Sequence, residues 1–204
     1  MKNTKYEKAY SKNKNFFGEK PSLLIYDHHY LFPKNLSFLD LGCGQGKDLL
    51  FMNTLGHKCL GVEKSPTAVK QLLKIIKKRK LKDIRVIHSD ILDFEFSDNS
   101  YDIINLRNAL QYFRKNEVQK LIKRIQKYVS KKGFIIISAF TVEDPSYSAK
   151  STGFKSHFSK NELLYYFTSK FNIIYYFEGL LQDKGHGNYP PHQHGVAMLI
   201  AQKK

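Results

Sequence analysis

Three glycines at alternate positions, directly after an acid, are the first residues whose spacing indicates chemistry. Asp40 is followed by Gly42, Gly44 and Gly46 in the stretch FLDLGCGQGKD. Glycine permits positive φ and leaves no Cβ between the backbone and a ligand, and N–H groups at a helix start attract electron-rich groups. An apolar run before the glycines and an amphipathic segment after them predict a strand, a tight turn and a helix. Asp40 would then lie at the carboxyl end of a strand, where open α/β sheets bind ligands.

The glycine spacing excludes two common phosphate-binding turns. The dinucleotide fingerprint G-x-G-x-x-G requires glycine at position 47, where this chain has Lys47. The P-loop requires Ser or Thr after Gly-Lys, and Asp48 stands there instead. The remaining pattern, D-x-G-x-G-x-G, resembles motif I of class I S-adenosylmethionine (SAM)-dependent methyltransferases, whose glycine turn lies against the methionine part of SAM. A βα turn with only a structural role is the alternative.

Two further acids follow predicted strands. Glu63 ends the second strand, 23 positions after Asp40, where a carboxylate can accept both hydroxyls of a ribose. Asp90 follows the third strand and is placed to accept from an adenine amino group, with the Ile91 N–H facing a ring nitrogen. Each acid alone is typical of a solvated loop. Three acids at the ends of three successive strands, after this glycine turn, predict SAM binding.

The wider pattern strengthens the resemblance. The turn, the GVEKSP stretch around Glu63, Asp90 and LRNALQYF from Leu106 onward are similar to the SAM-binding set of class I methyltransferases over residues 37–140. Less specifically, FGEKP at 17–21 and the segment after Phe158 resemble the tellurite-resistance methyltransferase group of small bacterial enzymes. This resemblance implies methyl transfer to a small nucleophile with release of S-adenosylhomocysteine, and it implies that Asp40 and the Leu106 carbonyl bind the SAM amino group. The predicted cofactor-binding residues are Asp40, Gly42, Cys43, Gly44, Gly46, Glu63, Lys64, Asp90, Ile91, Leu106, Tyr10 and Phe17.

A histidine-rich segment is the candidate acceptor site. Three of the eight histidines, His186, His192 and His194, fall within nine positions among glycines and prolines, and the last two share a face if the chain is extended. A neutral imidazole there is suited to act as a base or to orient the acceptor. A hairpin with structural histidines is an equal alternative. A metal site is less favoured, because no nearby Cys or carboxylate pair completes it, and no metal is predicted. Arg107, after the fourth strand, is expected to hold an anionic acceptor or pair with an acid, while Tyr10, Phe17 and Tyr112 are expected to close the pocket.

Several acceptor classes lack their required residues. Amino methylation of bases uses an Asn/Asp-Pro-Pro-aromatic tetrad after the fourth strand, and this chain reads NLRN at 105–108. Cytosine C5 methylation needs a cysteine there, and arsenite methylation needs several, whereas this chain has two, at 43 and 59. Methyl transfer depends mainly on positioning and water exclusion, so an anionic acceptor requires no base. These absences argue against three acceptor classes, and the resemblance to the tellurite-resistance group implies a small-molecule acceptor, such as a thiol or a chalcogen oxyanion.

The elements that must position these residues alternate between strand and helix. Strands are predicted at 37–41, 58–62, 84–88, 101–106 and 134–140, with helices between them and a polar loop at 93–100. A helix is expected at 22–32, a helix near 118–129 is expected to stop at Gly133, and a Ser159–Glu162 capping box is expected to start a helix reaching about Ser169. Strands at 171–177 and 196–201 are expected to form an antiparallel closing pair.

The prediction is a three-layer, Rossmann-like α/β fold with a mostly parallel seven-stranded sheet and an antiparallel last strand. One domain spans 1–204, comprising an arm and helix (1–36), the SAM-binding core (37–140) and a C-terminal part (141–204).

The charge suggests a second class of partner. The formal net charge is +16, from 34 Lys and Arg against 18 Asp and Glu, which is typical of proteins that bind nucleic acid or anionic membranes. The lysines are spread along the chain, and a composition rich in Lys, Asn, Ile, Tyr and Phe is what AT-rich coding produces. An RNA methyltransferase and a partner-dependent SAM-binding subunit are kept as alternatives. Without an apolar span or signal-peptide region, a cytoplasmic protein with reduced cysteines and no membrane partner is expected.

Overall fold

A computed structural model describes residues 5–97, 101–148, 153–187 and 189–204. Its seven strands form one mixed sheet in the order β3-β2-β1-β4-β5-β7-β6, which confirms the predicted Rossmann-like α/β fold. The chain divides into two compact units, Met1–Glu95 with His186–Tyr189, and Phe96–Gly185 with Pro190–Lys204. Positions 1–4, the end of the predicted 93–100 loop and Asn188 in the histidine-rich segment lie outside the described residues. No helix within the described ranges is long and apolar enough to cross a membrane.

The first unit contains three parallel strands and their helices. Strands β1 and β2 pair with Phe38 opposite Cys59, and Cys59 in turn lies opposite Ile84 of β3. Ser65 caps the helix after β2, which has Pro66 at its first position, and the Ser65 side chain accepts a hydrogen bond from the Ala68 N–H. The elements are α1 (Lys5–Lys12), α2 (Leu23–Tyr26), β1 (Ser37–Leu41), α3 (Lys47–Thr54), β2 (Lys58–Glu63), α4 (Pro66–Arg79) and β3 (Ile84–His88).

The second unit contains the remaining four strands. Strands β4 and β5 are parallel, whereas β7 runs antiparallel to both β5 and β6. This confirms the predicted closing pair and the antiparallel last strand. The elements are β4 (Tyr101–Arg107), α5 (Lys115–Tyr128), β5 (Val129–Phe140), α6 (Glu162–Tyr165), β6 (Phe171–Asp183) and β7 (His192–Lys203).

The predicted helix over 22–32 is wrong in length. Only α2 and a short 3₁₀ turn at His29–Leu31 form there. In a continuing helix the His28 N–H would donate to the Leu24 carbonyl, but here it donates to the Ile25 carbonyl. The Leu24 carbonyl lies instead 3.0 Å from the ring nitrogen Nδ1 of His28. The side chain thus replaces the backbone donor that a continuing helix needs.

Three later boundaries also differ from the sequence predictions. Gly133 does not end a helix, because α5 stops at Tyr128 and Gly133 lies inside β5, where a Cβ would be 2.8 Å from the Asp102 carbonyl oxygen. The helix expected to reach Ser169 ends at Tyr165. The Glu162 carboxylate accepts from the Ser159 N–H, as the predicted capping box requires. The N-cap residue of this helix is nevertheless Asn161, with a φ of 60°, and not Ser159. The closing strands are longer than predicted, so β7 begins at His192.

Gly46 shows how the glycine turn is packed against the helix after β2. Its φ is 85°, and a Cβ would lie 2.5 Å from the side chain of Leu72, which is fully buried on α4. Glycine is therefore required both for backbone conformation and for space.

We expect Gly46→Ala to lower the free energy of unfolding by about 1–3 kcal/mol, the usual effect of overpacking a tight core. Urea denaturation monitored by circular dichroism measures this change. Gly18→Ala is the matched control, because Gly18 also has a positive φ, 75°, but has no atom within 4 Å of the added Cβ. Equal losses for the two variants would show that the contact with Leu72 is unimportant.

Candidate functional site

The glycine turn after β1 is fixed by backbone hydrogen bonds to β2. Gly42, Gly44 and Gly46 have φ values of 79°, 55° and 85°, which favour glycine. The N–H groups of Gly42 and Cys43 both donate to the Val62 carbonyl, at 2.8 and 3.1 Å. The turn is therefore a rigid backbone surface at the carboxyl end of β1.

Cys43 is predicted as a cofactor-binding residue, but its thiol points toward β2. A Cβ on Gly61 would lie 2.7 Å from the Cys43 sulfur. Burial, followed by the charges of Asp40 and Glu63, raises the pKa of this thiol well above its usual range. The raised pKa keeps this thiol protonated, and a protonated thiol is a much weaker nucleophile than a thiolate.

Glu63 joins the glycine turn to the start of α4. One carboxylate oxygen accepts from the Gly44 N–H at 2.9 Å and the other from the Ser65 N–H at 2.7 Å. Burial raises the pKa of Glu63, whereas these backbone donors lower it and the charge of Glu7 raises it, with a net increase. Each carboxylate oxygen has two acceptor positions, so Glu63 keeps acceptor capacity beyond its backbone donors, which include the Lys64 N–H.

Asp90 and Lys64, two predicted cofactor residues, form an ion pair. The Lys64 side chain is 64% exposed and the Asp90 side chain 19%. The second Asp90 oxygen accepts from the Leu92 N–H at 3.0 Å, and Ile91 between them is buried. Lys64 therefore contacts this region through Asp90, and the ion pair links the residue after β2 to the loop after β3.

An aromatic arm before α2 covers the glycine turn within the first unit. Tyr10 and Phe16 are buried and pack with Phe17, Tyr6 and Ala9 against Ala68 of α4. The Tyr10 hydroxyl lies 3.0 Å from the place where Gly44 would carry a Cβ. Burial, and then the charge of Glu63, raises the pKa of Tyr10 far above its usual range, so the phenol stays protonated. The structure thus brings Tyr10 to the turn, and the rings of the arm pack together in a buried cluster of the first unit.

Polar side chains that the sequence analysis did not single out tie the arm to the turn. Gln45 accepts from the Phe16 N–H at 2.8 Å, and its amide group lies within donor distance of the Asn13 and Lys14 carbonyls and of Gln71. Two further side chains connect the turn to the same segment. Lys47 donates to the Phe17 carbonyl, and Asp48 accepts from the Ser22 N–H. Gln45 occupies a variable position inside the glycine pattern, so its spacing gives no signal of this role.

Glu7 anchors the other end of the arm at the start of α4. Its carboxylate accepts hydrogen bonds from the hydroxyls of Ser65 and Thr67. Burial raises the pKa of Glu7, but these hydrogen bonds and the nearby His88 lower it more, so the pKa lies below the ordinary 4.5. A carboxylate at a helix N-terminus is also favoured by the helix dipole.

His186 belongs to the first unit, with the aromatic arm. Its ring lies 4.8 Å from the Phe17 ring and 5.3 Å from the Phe16 ring, centre to centre. The neighbouring Gly187, with a φ of 54°, would place a Cβ 2.4 Å from the Phe16 ring. The structure therefore groups His186 with Phe16 and Phe17.

The carboxyl end of β4 carries Leu106 and Arg107 in the second unit. Leu106 is fully buried and lies opposite Ile137 of β5, and Arg107 lies opposite Ser138. Asn108 follows with a φ of 49°, and its side-chain oxygen accepts from the Ser138 hydroxyl at 2.8 Å. Tyr112, expected to close the acceptor pocket, packs edge-on against Phe154 at 5.3 Å. The chain leaving β4 is thus fixed to the end of β5.

His192 and His194 share one face of β7, as their spacing predicts, and contact each other. Their Nε2 atoms are 2.9 Å apart, and the second ring nitrogen of His194 lies 2.8 Å from the carboxylate of Asp144. Asp144 is 3% exposed and also accepts from the N–H groups of Ser146 and Gly195. Burial raises the pKa of Asp144, but the bonds from His194 and Ser146 bring it below its usual range. Sequence reasoning missed Asp144, which lies fifty residues before His194.

A family model described as a methyltransferase domain matches residues 33–179. The chain is 22% identical over 165 residues to an uncharacterized methyltransferase, YcgJ, of Bacillus subtilis, covering 72% of this chain and 64% of that protein. It is 27% identical over 130 residues to a probable S-adenosyl-L-methionine-dependent methyltransferase, TehB, of Haemophilus influenzae, covering 63% of this chain and 44% of that protein. The chain spans less than two thirds of the length of either relative.

A solved structure gives the same fold. The crystal structure of TehB from Haemophilus influenzae superposes with a TM-score of 0.75 at 23% identity, covering 89% of this chain and 61% of that one. At this identity the superposition demonstrates the fold alone.

The anchor at Glu7 generates a pH-dependent prediction. Because its folded-state pKa is lowered from 4.5, Glu7 stabilises the fold fully above pH 4.5, and this contribution is lost as the pH falls through the folded-state pKa. Glu7→Gln should therefore lower the free energy of unfolding at neutral pH, and the difference should shrink as the pH falls through the folded-state pKa of Glu7. Urea denaturation at several pH values measures the difference, with the exposed Glu95→Gln as control. A difference that persists unchanged at low pH would contradict the carboxylate role.

Proposed function

The chain belongs to the methyltransferase domain family, and from this premise we propose that it transfers the methyl group of S-adenosylmethionine to a small-molecule nucleophile, a thiol or a chalcogen oxyanion. The observation that supports this proposal most directly is the position of Glu63 at the end of β2. One of its carboxylate oxygens accepts from the glycine turn and the other from the start of α4. The TehB relative from Haemophilus influenzae is named as a probable S-adenosyl-L-methionine-dependent methyltransferase, which supports SAM as the cofactor.

The residues of the first unit fit this cofactor. The open backbone at Gly44 can lie close to the methionine part, since no Cβ intervenes. Glu63 has acceptor positions left for the two ribose hydroxyls, and Asp90 for the adenine amino group. The assignments of Ile91, Leu106, Arg107 and the remaining predicted positions stay predictions on the same pattern.

The chemistry is a displacement at a carbon bonded to sulfur. SAM supplies an electrophilic methyl group on a sulfonium when it is bound. The protein's contribution is to hold the two reactants in line and to exclude water. Tyr10 and the aromatic arm suit this second task, because the buried phenol lies directly over the turn.

A second candidate acceptor is RNA, favoured by one feature of the surface. An apolar groove on α4 is edged by positive charge at Lys70, Lys74 and Lys77, with His88 from β3 beside it. Lysines spaced along a helix can follow a phosphate backbone, and such binding weakens steeply with salt.

The first experiment measures release of S-adenosylhomocysteine from SAM, comparing a pool of small thiols and chalcogen oxyanions with total RNA. Turnover on the small-molecule pool supports the proposal, and fractionation of that pool then identifies the acceptor. Turnover on RNA alone favours the second candidate. If SAM binds but neither pool reacts, a SAM-binding subunit that needs a partner takes the place of both.

We expect Glu63→Ala to weaken SAM binding about 10- to 100-fold, because hydrogen bonds to a charged group contribute about 1.5–3 kcal/mol. Isothermal titration calorimetry gives the dissociation constant. Glu95→Ala, at an exposed glutamate of the same unit, is the control, and thermal melting of each variant confirms that it is folded. An unchanged dissociation constant in folded Glu63→Ala would refute the ribose assignment.

A further inference from the structure

An open apolar groove lies along α4, within the first unit. Pro66, Val69 and Leu73 of α4 line it, and His88 at the end of β3 lines it as well. Leu73 is 47% exposed, whereas the next residue toward the N-terminus, Leu72, is fully buried. The exposed leucine therefore belongs to a second apolar stripe beside the one that α4 buries against the sheet. We call this feature the α4 groove.

The apolar residues of the α4 groove repeat at the spacing of a contact between two helices. Pro66, Val69 and Leu73 are three and four positions apart, which is the separation of the a and d positions in a heptad. Lys70 and Lys77 take the flanking e positions, where charged side chains select the partner helix. The stripe therefore has both parts of a helix-docking surface, an apolar line and a charged border.

The chain around the α4 groove carries charge of one sign. Positions 64–82 contain no Asp or Glu and eight basic residues, which are Lys64, Lys70, Lys74, Lys77, Lys78, Arg79, Lys80 and Lys82. Three of them, Lys70, Lys74 and Lys77, line the groove itself. Within the part of the chain that the structure describes, none of these three lysines forms an ion pair. Their charge is available to a partner, and the complementary partner is acidic.

We propose that the α4 groove docks a helix of a partner protein, and that this helix carries a stripe of leucine-like side chains flanked by Asp or Glu. The apolar side chains of the partner enter the groove beside Leu73, and its acids pair with the lysines along the border. This surface lies outside the candidate cofactor site, so the proposal goes beyond methyl transfer and does not depend on which small molecule accepts the methyl group.

The apolar lining favours a protein helix over two other anionic partners. RNA binds through its phosphates and through bases that stack on aromatic rings, and Pro66, Val69 and Leu73 offer neither contact. A bilayer is bound by apolar side chains that project into it, whereas Val69 is only 8% exposed and lines a groove. A partner whose own apolar side chains project fits a groove better than a flat membrane surface does.

The binding test uses a panel of synthetic helices of about 18 residues, long enough for an isolated helix to be populated. The test series carries leucines at helical spacing with glutamates on both flanks, in several registers. One control series has serine in place of the leucines, and another has lysine in place of the glutamates. Fluorescence anisotropy with the full chain measures each dissociation constant, and amide chemical shifts locate the contact. We expect the leucine–glutamate series alone to bind and to shift the amides of α4, and failure of every member of that series to bind would overturn the proposal.

Variants of the protein separate docking in the groove from general attraction of charge. Leu73→Ser should weaken binding of the leucine–glutamate series about 10-fold, because the variant loses the apolar contact. Lys74→Glu should weaken it at least as much by placing an acid opposite the acids of the peptide. The matched controls are Leu23→Ser, at a leucine of α2 that is 69% exposed, and Lys34→Glu, at an exposed lysine of the same unit. Circular dichroism of each variant confirms that it is folded.

Two further probes, a single-stranded RNA oligonucleotide and vesicles of phosphatidylglycerol and phosphatidylcholine, distinguish a protein partner from other anions. Peptide binding that Leu73→Ser weakens and Leu23→Ser does not supports the proposal, whether or not RNA also binds. Binding of RNA or vesicles that Lys74→Glu weakens and Leu73→Ser leaves unchanged, without binding of the peptides, would show that this surface recognises charge alone and would refute it. Equal weakening by Leu73→Ser and Leu23→Ser would place the peptide contact outside the groove and would refute it too.

Discussion

The carboxylate of Glu63 is the interaction on which the candidate site depends. Its two oxygens bond the Gly44 and Ser65 N–H groups, so one side chain fixes the turn after β1 and the start of α4. A half-buried carboxylate is stable only with such donors, because desolvation otherwise favours its neutral form. The same donors fix the direction of the carboxylate, so the position of Glu63 relative to the turn is set by the backbone.

The aromatic arm depends on this junction. Ser65 caps α4 through the Ala68 N–H, and Glu7 bonds the Ser65 hydroxyl, so the arm is attached to the helix start that Glu63 orders. Gln45 then attaches the arm to the turn itself. The arm is therefore held both by these polar contacts and by the packing of Tyr10 and Phe16 against Ala68.

The sequence patterns predicted features that depend on neighbouring residues, and they missed contacts between residues that are far apart in the chain. The glycine turn, the acids after β2 and β3 and the shared face of His192 and His194 follow from spacing along a strand or around a turn, and the structure reproduces each. Asp144 and Gln45 acquire their roles from partners brought together by the fold, fifty residues away for Asp144 and 26 to 32 for Gln45. The early end of α2 depends on a side-chain bond of His28 that helical periodicity does not encode.

Net charge and local charge answer different questions about the acceptor. A formal charge of +16 attracts any anion and raises its encounter rate, so it does not separate RNA from a small oxyanion. Local charge at the end of β5 is arranged by specific contacts instead: the buried Asp144 carboxylate is held by His194 and by the N–H groups of Ser146 and Gly195. Net charge therefore describes how strongly anions are attracted to the whole surface, whereas contacts of this kind determine which groups one end of the sheet presents.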